Sequence, residues 1–344
     1  MQDLAAPVTP EQIELAESLE TVSRLSRVSG NTWTQFIFRR LVNLLIVLAV
    51  LVFCDFLILR LIPGDPAEIM AGVTGAQDQV QLIRHELGLD LPLQGQMLNY
   101  ASNLAHGNLG HSFLTNQPVT EIISQRIGSS VQLAGTALAL VLLLGIPIGM
   151  LLGAFTREER HRRLELAFTS TTSVVGALPE YFVATLLAFI FGLELRLLPV
   201  AGGSDLSALI LPTAAIVIRP IAVLARVVRV ETLNVLAQDY IRTARSKRLP
   251  ARVIYLRHVL PNVVTAALTI SGILFAQLVG GAIVIENVFA RNGLGTTLVI
   301  AVVNRDYPVI QGVILVLGVI VVVVNAVIDA VIALLDPRSR ARLA

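Results

Sequence analysis

The chain has 344 residues, of which 55% are hydrophobic and only 15% are charged. Soluble domains carry about 25% charged residues, so this composition excludes an ordinary water-soluble globular protein. The formal net charge of +2 says little, because a membrane protein sorts its charges by side. The single cysteine, Cys54, excludes an internal disulfide and a thiolate metal cluster.

The first 38 residues are polar, and we expect them to form a cytoplasmic tail with one short helix. The stretch "TPEQ" places Thr9 as the N-cap, Pro10 at the first helical position and Gln12 as the partner in a capping box. This tail precedes the first apolar stretch. It shows no motif for catalysis or ligand binding.

Six apolar stretches follow, and most of them are long enough to cross a hydrocarbon core of about 30 Å as helices. The predicted spans are 41–62, 131–155, 166–193, 208–224, 263–285 and 309–335. The sequence therefore predicts an all-α, polytopic transmembrane helical bundle. An even number of spans places both termini on one side of the membrane.

The distribution of basic residues predicts the orientation. The N-terminal tail up to Arg40, the loops 156–165 and 226–261, and the tail 336–344 together hold 19 of the 26 Lys and Arg residues. By the positive-inside rule these segments are expected in the cytoplasm, with both termini. The long segment 63–126 is then outside, and its helix-like pieces predict a small ordered cap.

The loop 226–261 contains the densest cationic block, "DYIRTARSKRLPARVIYLRH". Its first part has good helix formers, Pro250 interrupts it, and "ARVIYLRHVL" then resumes a helical apolar pattern. Two short helices meeting at Pro250 are predicted. They could lie on the membrane surface or dock on another protein, and the small residues Thr243, Ala244 and Ser246 favour a protein partner.

Nine segments, in this order and spacing, resemble the permease subunits of ATP-binding-cassette importers of dipeptides and oligopeptides. The resemblance covers about residues 36 to 340. The segments are "PGDPAE" (63–68), "LGLDLPL" (87–93), "GNLGHS" (107–112), "LPVAGG" (198–203), "QDYIRTARSK" (238–247), "RHVLPN" (257–262), "GGAIVIENVFARNGLG" (280–295), "NRDYP" (304–308) and "LLDPRSR" (334–340).

This resemblance implies a type I importer permease fold, with a transmembrane permease domain at 39–340. It also implies a bacterial plasma (inner) membrane location and a heterodimer with a second, homologous permease. Further implied partners are two cytoplasmic ATPase subunits, which hold the ATP and Mg, and an extracytoplasmic peptide-binding protein. No cofactor in this chain and no nucleic-acid partner are implied.

In this family the cytoplasmic loop acts as a coupling helix that enters a cleft on the ATPase. The residues carried over to this role are Asp239, Tyr240, Thr243, Ala244, Arg245, Lys247, Leu249, His258, Pro261 and Asn262. Two positions depart from the family pattern. Arg248 stands where the family has glycine, which bears on the turn after the helix, and Asn292 replaces a proline before "GLG".

The sequence has no G-x-x-x-x-G-K-[ST] motif, since "GTTLV" at 295–299 lacks the lysine. It also lacks H-E-x-x-H, a Cys/His metal cluster and a nucleophile elbow. A transporter subunit that is not itself an enzyme is predicted. The alternatives are a same-family permease for nickel, glutathione or another small solute, an ion-gradient-driven transporter, or a membrane-embedded enzyme.

Ionisable residues inside spans are candidate functional residues. Asp55 and Arg219 are predicted to line the substrate pathway, or alternatively to pair with each other or with polar backbone groups. Arg60 and Glu286 are nearer the span ends and are expected to snorkel. The glycines of "GIPIG" at 145–149, with Gly280 and Gly281, predict close helix packing.

Overall fold

A computed structural model describes residues 32–61, 67–68, 77–86, 89–157, 161–202 and 206–335. The predicted helix near Thr9, most of "PGDPAE" and the tail 336–344 lie outside these ranges. Within them the regular elements are helices, apart from one isolated bridge between His111 and Pro118. The all-helical fold class is confirmed.

Eleven helices are used below, numbered in chain order. They are α1 (Thr32–Leu61), α2 (Gln77–Glu86), α3 (Leu93–Ala105), α4 (Val119–Phe155), α5 (Arg162–Ala177), α6 (Glu180–Leu187), α7 (Ser207–Leu236), α8 (Asp239–Ser246), α9 (Ala251–Val288), α10 (Leu294–Val303) and α11 (Tyr307–Leu335). A π-helical turn, Ala188–Glu194, continues α6, and another, Ile254–Val259, lies within α9.

Five helices are long and apolar enough to cross a membrane: α1, α4, α7, α9 and α11. The predicted span 166–193 is not one straight helix. It consists of α5 and the segment Glu180–Glu194, which are bent by 95° relative to each other. Pro179 explains the break, because a proline disfavours helical geometry in the preceding residue, and Leu178 is extended. Counting the bent pair as one span gives the predicted six.

The centre of the bundle is α7, and its periphery is α1 and α11. In an apolar 18-residue stretch of each helix, 67% of the residues are buried in α7 but only 11% are buried in α1 and in α11. Helix α4 lies along α7 with Gly145, Gly149 and Gly153 at the contact. A Cβ on Gly149 would lie 2.6 Å from the Ala225 carbonyl oxygen, so the predicted close packing is observed there.

Part of the segment 63–126 is tied to the spans by buried polar contacts. Asp55 in α1 is only 1% exposed and accepts a hydrogen bond from the Tyr100 hydroxyl of α3. Burial, together with the Asp55 carboxylate, raises the pKa of Tyr100 above its ordinary value. Asp306 accepts a bond from Ser112 Oγ at 2.5 Å. These contacts fix α3 and the 108–118 loop.

Candidate coupling site

The loop between the spans α7 and α9 contains a separate eight-residue helix, α8. Gln238 is extended, with φ −70° and ψ 150°, and separates α8 from α7. Asp239 lies in the first turn of α8 and Arg245 in the last, which is the favourable arrangement for the helix dipole. After Pro250 the chain enters α9. A helix therefore lies on each side of this proline as predicted, but the second is not short, because it continues as the span α9 to Val288.

The helix α8 has one buried face and one polar face. Ile241 is 0% exposed and Ala244 is 6% exposed, and both belong to the apolar cluster that includes Ile254 and Val259 at the start of α9. Its exposed residues are Asp239, Tyr240, Arg242, Thr243 and Ser246, followed by exposed Lys247 and Leu249. Ala244 thus packs against its own chain, where it holds α8 in place.

The turn after α8 answers the question raised by Arg248. This residue has φ +55°, its N–H donates to the Arg245 carbonyl at 2.8 Å, and the Leu249 N–H donates to the Ala244 carbonyl at 3.2 Å. Such left-handed residues close many helices, and glycine adopts this geometry most readily. The turn that the family makes with glycine is therefore made here with arginine.

Replacing Arg248 with glycine is expected to stabilise this turn by about 1 kcal/mol, because a left-handed side-chain-bearing residue is strained by roughly that amount. Hydrogen–deuterium exchange of the amides in 239–249 should slow by about fivefold. Arg242→Gly is the matched control, since Arg242 is exposed on the ordinary helix. It should speed exchange by a similar factor. Faster exchange in both variants would contradict the prediction.

One polar contact joins α8 to the first turns of α9. The Asn262 side-chain amide donates to the His258 carbonyl at 2.7 Å and to the Tyr240 hydroxyl at 3.4 Å. Burial raises the pKa of Tyr240, and the nearby Glu231 raises it further. The structure thus brings the side chains of Tyr240 and Asn262 together, whereas His258 contributes only its backbone carbonyl. Pro261, which cannot donate a backbone hydrogen bond, lies two residues after the end of the π-helical turn.

Two residues near this site were not singled out from the sequence. Ile241 anchors α8, and its only sequence signal was the apolar spacing from Ile241 to Ala244 within a charged run. Arg229 was counted only as a loop charge. Its guanidinium contacts Glu165 at 2.7 Å and donates to Thr156 Oγ1 at 3.0 Å, so it joins α7 to α4 and α5.

The two predicted pathway residues have different partners. Asp55 is bonded to Tyr100, whereas Arg219 lies 3.9 Å from Glu180 at the start of α6. The Arg219 side chain is 48% exposed, and it is the one exposed residue between Leu211 and Arg229 on the central helix. The Glu180 carboxylate lies against Gly281, where a Cβ would collide with it.

Glu286 is 0% exposed, so the expectation that it snorkels is wrong. Its carboxylate accepts from Ser130 Oγ at 2.5 Å and from the Gly295 N–H at 2.7 Å. Ser130 Oγ in turn accepts from the Leu294 N–H at 2.8 Å. The end of α9 is covered by the first turn of α10, and Glu286 binds the orphan N–H groups of that turn instead of reaching solvent.

Among the residues that the structure describes, no group of three or more His, Cys, Asp or Glu side chains is placed to hold a metal ion. The site consists of an anchored polar helix and separate buried polar contacts.

Comparison with known proteins agrees with this architecture. Residues 145–341 match the family described as binding-protein-dependent transport system inner membrane component, and residues 33–134 match the N-terminal model of the same systems. A protein of Brucella abortus (strain 2308), which bears the name peptide transport system permease protein, is 36% identical, with 89% of this chain and 99% of that protein covered.

Two further relatives have similar coverage. A protein of Sinorhizobium fredii that bears the name peptide ABC transporter permease protein is 35% identical, with 89% of this chain and 99% of that protein covered. The glutathione transport system permease protein of Escherichia coli O6:H1 is 35% identical over 89% of this chain and 98% of its own length. The chain therefore belongs to the inner membrane components of binding-protein-dependent transport systems, as a multi-pass ABC transporter permease subunit that is not itself an enzyme.

Proposed function

We propose that this chain is a permease subunit of an ATP-driven importer of short peptides. The observation that carries the proposal is α8, a helix anchored by Ile241 and Ala244 with its polar face free. The names of the Brucella and Sinorhizobium relatives support peptides, and the name of the Escherichia coli relative supports glutathione. Both kinds of solute are small and carry carboxylate and ammonium groups.

In the proposed mechanism, α8 receives mechanical work from cytoplasmic ATPase subunits that close on ATP, with its Mg, and open after hydrolysis. A displacement is transmitted only through a rigid element, and α8 is attached to α9 by its apolar face and by the Tyr240–Asn262 contact. The proposed coupling set is Asp239, Tyr240, Thr243, Ala244, Arg245, Lys247, Leu249, His258, Pro261 and Asn262.

The proposed assembly contains a second, homologous permease, two ATPase subunits and an extracytoplasmic peptide-binding protein. The substrate moves along the interface between the two permeases. In this chain the permease domain that forms one side of that interface is 39–340. The loop 226–261 and the tails 1–38 and 336–344 face the cytoplasm, and the cap 63–126 receives the binding protein. This orientation rests on the positive-inside distribution of Lys and Arg.

Arg219, together with Glu180, is the better supported pathway candidate. A half-exposed arginine inside a span is costly unless it faces a water-filled cavity or another protein. Because α7 is the central helix, its one exposed charge does not belong to the lipid-facing periphery. Asp55 is buried and bonded to the side chain of Tyr100, which is neither Arg219 nor a backbone group, and this makes it the weaker pathway candidate.

Arg219→Gln is expected to reduce uptake of peptides with a free carboxylate about tenfold, and of C-terminally amidated peptides much less. Glu180→Gln should reduce uptake of peptides with a free amino terminus more than uptake of acetylated peptides. Uptake is measured in proteoliposomes and normalised to the affinity of the binding protein for each peptide. Equal losses for the unmodified, amidated and acetylated peptides, with less folded chain, would show that the pair is only structural.

Reconstitution tests the function as a whole. The chain, purified with its partner subunits, is placed in proteoliposomes with the binding protein outside, and uptake of a labelled dipeptide is followed with and without ATP. We expect uptake that requires ATP hydrolysis. Uptake driven by an ion gradient without ATP would overturn the importer proposal. Transport of nickel or glutathione but not of peptides would overturn only the substrate assignment.

A further inference from the structure

A largely apolar crevice with four polar side chains in its lining lies between the first and last spans. Its volume is about 300 Å³. The lining residues are Arg40, Asn43, Leu44 and Val47 of α1, with Val321, Val322, Asn325, Ala326 and Asp329 of α11. Arg40 and Asp329 form an ion pair, and their side chains remain 35% and 30% exposed. The crevice therefore combines one positive group, one negative group and two amides with an apolar wall.

The position of the crevice indicates what can reach it. Both helices are peripheral, and α1 exposes large apolar side chains such as Leu41 and Leu45 near the crevice. In a membrane, such a surface faces lipid. The crevice thus opens where phospholipids are always available at high local concentration, and no route through the protein is needed.

The depth of the two charges matches the headgroup region. Residues 309–328 of α11 contain no ionisable group and span about 30 Å as a helix, which is the thickness of the hydrocarbon core. Asp329 follows directly, so it lies at the boundary of that core. Arg40 lies in the first turn of the apolar part of α1, Ile37–Leu57, and meets Asp329 there.

The charges of the crevice favour one class of headgroup. A guanidinium has five N–H donors and a carboxylate about four acceptor sites, so a single ion pair leaves part of both groups unused. An anionic headgroup would gain from Arg40 but be repelled by Asp329. A headgroup with a phosphate and a primary ammonium satisfies both. The crevice volume is at the lower end for small-molecule pockets, so it has room for a headgroup but not for a whole lipid. The acyl chains would lie on the apolar surface outside the crevice.

We propose that the crevice between α1 and α11 binds a phospholipid of the phosphatidylethanolamine class, with its phosphate at Arg40 and Asn43 and its ammonium at Asp329. The bound lipid would act as an additional contact between the first and last spans. This site is separate from α8 and from Arg219, so it stands whether or not the proposed transport function is correct.

Native mass spectrometry of the intact complex tests the proposal. The complex is delipidated and then mixed with phosphatidylethanolamine, phosphatidylcholine or phosphatidylglycerol in equal amounts. We expect retention of phosphatidylethanolamine to exceed that of phosphatidylcholine by about tenfold, because a quaternary ammonium has no N–H to donate to Asp329. Equal retention of the three lipids, or preference for phosphatidylglycerol, would overturn the proposal.

Three variants locate the site. Asp329→Asn should remove the preference for phosphatidylethanolamine over phosphatidylcholine, and Asn43→Leu should reduce retention of both several-fold without touching the ion pair. Arg39→Gln is the matched control, because it removes a neighbouring charge that does not line the crevice, and it should retain the wild-type preference. An unchanged preference in Asp329→Asn, or its equal loss in Arg39→Gln, would show that lipid binds elsewhere.

Discussion

Replacing Ile241 with aspartate is expected to abolish ATP-dependent uptake, by a factor of 100 or more, while the chain stays in the membrane. Ile241 is 0% exposed and is one of only two buried residues of α8. An unpaired carboxylate in that position costs several kcal/mol. An isolated eight-residue helix is not stable in water and cannot offset this cost, so α8 should leave its place on α9.

Two controls separate undocking of α8 from general damage. Ile241→Val removes one methylene group, costs about 1 kcal/mol and should keep most of the uptake. Ala237→Asp adds the same charge at an exposed position just before α8, outside the proposed coupling set, and should also leave uptake largely intact. ATP hydrolysis by the partner subunits is measured in parallel, and we expect it to continue without transport in Ile241→Asp.

A second design removes the rigidity of α8 without adding a buried charge. Residues 239–246 are replaced by a glycine–serine segment of equal length, which keeps the connection between α7 and α9 but not the helix. Uptake should again be lost. If assembly and ATP-dependent uptake survived this replacement, the proposed transmission of work through α8 would be wrong.

Replacing Glu286 with alanine is expected to destabilise the bundle by about 2–6 kcal/mol, since two buried donors lose their acceptor at about 1–3 kcal/mol each. These donors are the Ser130 hydroxyl and the Gly295 N–H. The glycines at 293 and 295 leave room for this carboxylate, because a Cβ on either of them would collide with it. The loss should appear as a lower yield of monodisperse complex and a lower Tm.

Glu286→Gln refines this prediction. Glutamine keeps one acceptor oxygen but turns an amide N–H₂ toward a second donor, so about half of the stability loss should remain. Asn287→Ala is the control, because Asn287 is the next residue, is exposed and bonds only within its own helix. A Glu286→Ala variant as stable as Asn287→Ala would contradict the interpretation of this contact.

The sequence predicted those features that depend on local properties of the chain. Hydropathy placed the spans, and Pro250 with the charged helix formers before it placed α8. Pro179 is a similar helix-breaking residue, but it lies within the apolar stretch 166–193, which is predicted as one span. The tertiary direction of the chain after a proline is not encoded by the proline itself, so the 95° bend could not be derived from the residues alone.

Contacts between distant residues could not be predicted. The Ser130–Glu286 bond joins residues 156 positions apart in the sequence. Arg40 and Asp329 form an ion pair although they lie near opposite ends of the sequence. Position along a helix suggested that Glu286 would reach the membrane surface, whereas the fold of the following turn covers it. The same limitation applies to Asp55, whose partner Tyr100 lies 45 residues away outside the spans.

The helix α7 runs without interruption from Arg219 to Leu236, just before α8. That length is about 26 Å at 1.5 Å per residue, so a tilt of α7 by about 5° would shift Arg219 by about 2 Å relative to the α8 end of the helix. If α8 transmits work as proposed, a shift of this size would widen the gap between Arg219 and Glu180, which are 3.9 Å apart, in each cycle of the partner ATPases.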